Sequence, residues 1–163
     1  MSKIIRVLVV ALVAMGFSSV ASAQSFNTRN LFFGGGLSQN SVSGFDSGMG
    51  FQFFGGYSFG QIAPQLQMDA ELGYQDAKVE FCFPFFGCTD AHVKGLWANG
   101  VGRYRVAPQI DLIGRAGLDF GDDDGFMIGI GAGYLLSKNA QLRLEYVMRE
   151  NLDSLQFNFV YQP

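Results

Sequence analysis

From about Asn30 to its end the chain alternates apolar and polar residues with a period of two. In Gln65–Gln75, Leu66, Met68, Ala70, Leu72 and Tyr74 alternate with Gln67, Asp69, Glu71, Gly73 and Gln75. In Gln109–Phe120, Ile110, Leu112, Gly114, Ala116, Leu118 and Phe120 alternate with Asp111, Ile113, Arg115, Gly117 and Asp119. A period of two puts the two sets on opposite faces of a sheet. The segments are long, rich in aromatics and preceded by an export signal. The pattern therefore predicts lipid outside and charges within, in a closed barrel. A secreted soluble barrel shares the alternation. It would carry polar residues where this chain has Leu66, Met68, Ile110, Leu112, Ile128, Ile130, Leu142 and Leu144.

Eight segments carry the signal: Asn30–Gln39, Met49–Phe59, Gln65–Gln75, His92–Val106, Gln109–Phe120, Phe126–Leu136, Ala140–Glu150 and Ser154–Gln162. Most have the ten or so residues a tilted strand needs to cross the hydrocarbon. The predicted fold is all-β, a closed antiparallel up-and-down transmembrane barrel. Gly60–Pro64, Ala107-Pro108 and Ser137-Lys138-Asn139 read as short turns. Asn40–Gly48, Asp76–Ala91 and Gly121–Gly125 read as the more varied connections, with a short one near Asn151–Asp153. With both termini in the periplasm, the tight turns fall inside and the longer loops outside. Tyr57, Tyr104, Tyr134 and Tyr161 close alternate strands at one interface, where a phenol keeps its ring in lipid and its hydroxyl in water. Tyr74, Phe120, Phe126 and Tyr146 approach the opposite rim.

The first residues form a targeting segment. Lys3 and Arg6 precede a largely apolar stretch from Ile4 to Phe17, and Ala21-Ser22-Ala23 fits the small-residue cleavage rule. Residues 1–23 are thus expected to be a cleaved signal peptide and residues 24–163 the barrel domain, with Gln24 first in the mature chain. A net charge of −3 argues against a nucleic-acid partner.

If the apolar set faces lipid, Asp69, Glu71, Arg103, Asp111, Arg115, Asp119, Arg143, Glu145 and Arg149 face the interior. An eight-stranded barrel is just wide enough for side chains to fill it, so these charges must pair. Arginine suits that role, because its planar fork binds a carboxylate at two points. Two readings stand: a salt-bridged plug, or an ion pathway. Gly129, Gly131 and Gly133 leave room for bulky arginines opposite.

On these features the chain resembles the small outer-membrane β-barrel proteins, the group that includes the OmpA transmembrane domain, OmpX and the opacity-type surface proteins. The resemblance spans about Phe26 to Pro163. Its most specific piece is the alternation of Leu155, Phe157, Phe159 and Tyr161, which is similar to the C-terminal signal read by the barrel-assembly machinery. The chain departs from the family in ending with Gln162-Pro163 in place of a terminal phenylalanine. The resemblance implies the outer membrane of a Gram-negative bacterium, contact with lipid and lipopolysaccharide, and a monomer. No peptidoglycan-binding module follows the eighth strand, so no cell-wall tether is implied.

Cys82 and Cys88 are the only cysteines, and an exported protein with an even count reads as disulfide-bonded. The rival is a metal site with His92, which lacks a fourth ligand and zinc-like spacing. Between them, Phe83, Phe85 and Phe86 form an exposed apolar loop that either folds onto the rim against lipopolysaccharide or binds an extracellular partner. Asp122-Asp123-Asp124 reads as a solvated turn, with a divalent-cation site sharing Asp119 as the alternative. Lipid A deacylases of this shape use a histidine and a serine two residues apart, whereas His92-Val93-Lys94 offers none. No catalytic residue, cofactor or resident metal is expected. The expected role is structural or surface-interactive, with a narrow porin-like channel for small solutes or ions as the alternative.

Overall fold

The computed structural model describes residues 27–41, 47–83, 87–122, 124–150 and 152–163, with backbone alone over 79–83 and 87–91. Eight strands follow a short 3-10 turn at Thr28–Asn30: β1 Leu31–Ser41, β2 Gly48–Ala63, β3 Leu66–Phe83, β4 Gly87–Ala107, β5 Ile110–Gly121, β6 Gly125–Leu135, β7 Ala140–Met148 and β8 Asp153–Tyr161. Each pairs antiparallel with its neighbour in sequence, and β1 pairs with β8 to close the barrel. Closure leaves no strand edge to be satisfied in lipid.

The alternation in sequence becomes alternation in burial. Along β5, Asp111, Ile113 and Arg115 are buried while Leu112, Gly114 and Ala116 are exposed. Phe33, Phe53, Leu72, Ile130 and Phe157 stand on the outer wall with about half their surface or more uncovered. Such apolar exposure suits hydrocarbon as solvent. Both termini lie at one end, where Gln162 Nε2 donates to Arg29 O at 3.1 Å.

Two expectations about connections are corrected. Asp76–Ala91 is not a long loop: β3 and β4, 18 and 21 residues, continue as a paired ribbon to Phe83↔Gly87. The cause is that the alternation of Ala77, Val79, Phe81 and Phe83 with Lys78, Glu80 and Cys82 never breaks. Gly60–Pro64 is not wholly a turn either, because β2 runs on to Ala63 through a register shift between Ser58 and Gly60. Gly60 takes φ 77°, which glycine adopts without penalty, and the reversal falls at Pro64-Gln65, with Gln65 at φ 65°.

Tyr104, Tyr134 and Tyr161 lie exposed near the end that carries the termini. Tyr57 stands level with the start of β1, opposite Leu31, instead of closing β2. Its hydroxyl accepts from Asn27 N and Asn30 Nδ2, each at 3.4 Å.

Candidate functional site

The nine charged positions expected inside are all buried in the lumen, and they form three layers. Nearest the termini, Arg103 grips Asp69 with two bonds, Nε to Oδ2 at 2.6 Å and Nη2 to Oδ1 at 3.0 Å. Arg105 holds Asp111 in the same way, and Gln141 Nε2 also donates to Asp111 Oδ2, at 2.8 Å. Bidentate geometry of this kind makes the strongest charged hydrogen bonds.

The middle layer crosses the lumen. Arg143 on β7 donates from Nη1 to Glu71 Oε1 on β3 at 2.6 Å. Arg115 on β5 donates from Nε to Glu145 Oε2 at 2.8 Å, while its Nη2 lies 3.4 Å from Glu71 Oε2. Two carboxylates and two guanidiniums thus share one site, with side chains no more than 1% exposed. Without each other these charges would cost several kcal/mol each, on the order given by burying an ion.

In the third layer Arg149 donates to Asp119 Oδ2 at 2.8 Å and Ser154 Oγ at 2.9 Å, and reaches Gln75 Oε1 as well. Ser154 passes the chain on to Asn40, Oγ to Oδ1 at 2.7 Å. Neutral amides fill the wall between layers: Gln52 Nε2 donates to Asn158 Oδ1 at 2.7 Å and Gln156 Oε1 at 2.8 Å.

Charge is not all that fills the barrel. Phe32, Phe54, Trp97, Met127, Val147 and Val160 form a buried apolar cluster in the interior. Arg115 lies 5.6 Å over the Trp97 ring and Arg143 lies 5.8 Å over Phe32, so the cluster also shields the middle charges. Glycines opposite make the space. A Cβ at Gly73 would come within 2.7 Å of the Trp97 ring, and one at Gly129 within 2.9 Å of Arg115 Cγ. Gly131 and Gly133 meet Glu145 and Gln141 instead of arginines, which corrects that part of the expectation. Arg105 and the apolar cluster escaped the sequence reading, although strand parity with Arg103 and Asn99 points both Arg105 and Trp97 inward.

At the rim away from the termini, Asp76 Oδ1 lies 2.7 Å from His92 Nδ1 and Oδ2 lies 3.3 Å from Lys94 Nζ. The hydrogen bond from His92, with Lys94 beside it, holds the Asp76 carboxyl below the ordinary carboxylate range. Asp119 and the Asp122 turn are not brought together. Asp119 points into the lumen, whereas Asp122 Oδ2 accepts from Lys94 N at 2.9 Å outside. Asp123 lies outside the described residues, and so do Phe85, Phe86 and the targeting segment. Cys82 stands directly opposite Cys88 in the β3–β4 register, on paired strands instead of in a loop. Among the described residues, no group of three or more His, Cys, Asp or Glu is placed to hold a metal ion.

The fold is similar to that of the Yersinia pestis outer membrane protein Ail, at 14% identity and TM-score 0.55, over 80% of this chain and 97% of that one. Neisserial surface protein A is similar at 16% identity and TM-score 0.53, over 82% and 96%. The outer membrane enzyme PagL is similar at 12% identity and TM-score 0.50, over 80% and 98%. At such identities the likeness is one of fold, which a surface protein and an enzyme share. No curated protein matches the chain in sequence. Residues 9–160 match the outer membrane protein beta-barrel domain family, so this chain belongs to that family and resides in the outer membrane of a Gram-negative bacterium.

Proposed function

We propose that the protein is a closed, non-conducting and non-catalytic barrel with a structural and surface-interactive role. The observation that carries this reading is the middle layer, where Arg143–Glu71 and Arg115–Glu145 span a lumen already occupied by Trp97 at 0% exposure. A solute would have to break charged pairs in a site that excludes water. The β3–β4 ribbon is the longest feature at the rim away from the termini, and it offers the outside contact. A Cys82–Cys88 disulfide braces its tip, and Phe83, Phe85 and Phe86 supply the apolar surface that meets lipopolysaccharide or an extracellular partner. The signal peptide directs export, and the barrel-assembly machinery inserts the chain through β8 as a monomer.

A narrow channel for small solutes or ions is the competing reading. It is favoured by a polar cavity of about 180 Å³ at the mouth near the termini, lined by Gln61, Gln65, Gln67, Arg103, Arg105 and Asp111. Single-channel recording of the refolded mature chain in a planar bilayer decides between the two. A silent membrane with confirmed insertion is the expected result. Reproducible small steps whose ion selectivity changes in Arg115→Ala would overturn the plug.

A further inference from the structure

The apolar band on the outer wall of β3 and β4 runs through Leu66, Leu72, Tyr74 and Leu96, and ends at Asp76 and Lys94, which face each other across the strands. One residue pair further on, Lys78 stands opposite His92. The end of the band marks the depth at which hydrocarbon gives way to headgroups. The charges there are arranged unevenly. The Asp76 side chain is only 13% exposed, while His92 and Lys94, which lean on it, are 50% and 51% exposed. The carboxylate is a covered base that orients two cations, whose remaining donors are free to meet a second acceptor.

The rest of this rim has the opposite sign. Asp122, Asp124, Glu150 and Asp153 are its other outward charges among the described residues. The remaining described cations lie elsewhere: Arg103, Arg105, Arg115, Arg143 and Arg149 inside, and Arg29 and Lys138 by the termini. Asp122 spends its carboxylate on the backbone N–H of Lys94. An anion at headgroup depth is therefore repelled around most of the rim and met by donors on one wall.

We propose that Lys78, His92 and Lys94 form a binding site for the phosphate of an outer-leaflet glycolipid, whose acyl chains lie on the apolar wall below. The site places the termini in the periplasm and is independent of whether the lumen conducts. Ammonium and imidazole donors to phosphate oxygens make charge-assisted bonds, and cations at headgroup depth draw anionic lipid.

The test uses the full mature chain refolded into phosphatidylcholine nanodiscs that contain labelled lipid A, either bisphosphorylated or enzymatically dephosphorylated. The wild type should retain the phosphorylated lipid about tenfold better than the dephosphorylated one. The Lys78→Gln/Lys94→Gln double variant should lose that preference while keeping the heat-dependent gel mobility of a folded barrel. Equal retention of the two lipids by the wild type overturns the site. That comparison needs no variant, and so it holds even where the variant does not refold. Complete displacement by millimolar inorganic phosphate would assign the residues to free anion and overturn the glycolipid as occupant.

Discussion

Arg143 and Glu71 meet across the barrel, Nη1 to Oε1 at 2.6 Å, from strands β7 and β3 that are not neighbours in the sheet. A bond of this kind ties opposite walls together. It also links two residues 72 positions apart, so register and pairing must be right before it forms.

Arg115 tests how much the layer contributes. Glu145 takes its one close guanidinium from Arg115, and Glu71 is its second neighbour. Arg115→Ala leaves a buried carboxylate without a cation, and should destabilise the barrel by about 3 kcal/mol. Adding Glu145→Gln removes the stranded charge and should recover part of that loss. Urea unfolding of both variants in lipid vesicles measures it. A loss below about 1 kcal/mol would mean that water, not pairing, satisfies these charges.

Glycine has two different roles here, and two single substitutions separate them. A Cβ on Gly131 would lie 2.8 Å from Glu145 Cα, against backbone that cannot give way, so Gly131→Ala should cost about 1–3 kcal/mol. Gly114 faces outward with nothing within 4 Å of its ideal Cβ. Gly114→Ala only restricts the unfolded chain, and should leave stability unchanged or raise it by up to about 1 kcal/mol. The same unfolding assay must rank the two variants in that order.

The ribbon tip carries a chemical prediction. Directly opposite positions on antiparallel strands bring Cβ atoms to about 4.5–5.5 Å, close to disulfide reach. With Cys82 opposite Cys88, the exported protein should take up no thiol-alkylating reagent until reduced, then two equivalents by intact mass. Alkylation without reductant would remove the brace from the proposed surface role.

The barrel itself was legible because one rule, the period of two, acts on every strand. That rule assigned Leu112 and Asp111 to opposite faces, and sufficed for closure and topology. It was misapplied where residue chemistry was allowed to override parity. Trp97 was left out of the interior because aromatics were assigned to lipid, yet it shares parity with Asn99 and faces Gly73, whose missing side chain is the socket. Arg105 was lost because a register shift before Ala107 makes the strand end look irregular. Asp76, Pro84 and Gly87 resemble loop punctuation, but the alternation between them continues, and in β3 and β4 it prevails over single turn-forming residues. Which arginine takes which carboxylate was not legible at all. Pairing across the lumen depends on strand stagger, which period alone does not state.

The rim around Asp76 makes stability depend on pH in a defined direction. The His92 hydrogen bond lowers the native carboxyl pKa, so the folded state favours the ionised form more than the unfolded chain does. A depressed carboxyl contributes stability that is fully present above the unfolded pKa and is lost as pH falls through the native one. Asp76→Asn deletes the contribution without changing size. At neutral pH the wild type should therefore melt at the higher temperature, and acidification should bring the two curves together as Asp76 protonates. Thermal melts of both proteins across the acid range give the answer. A gap that stays constant at every pH would mean that Asp76 acts through packing and that its bond to His92 contributes nothing as an ion.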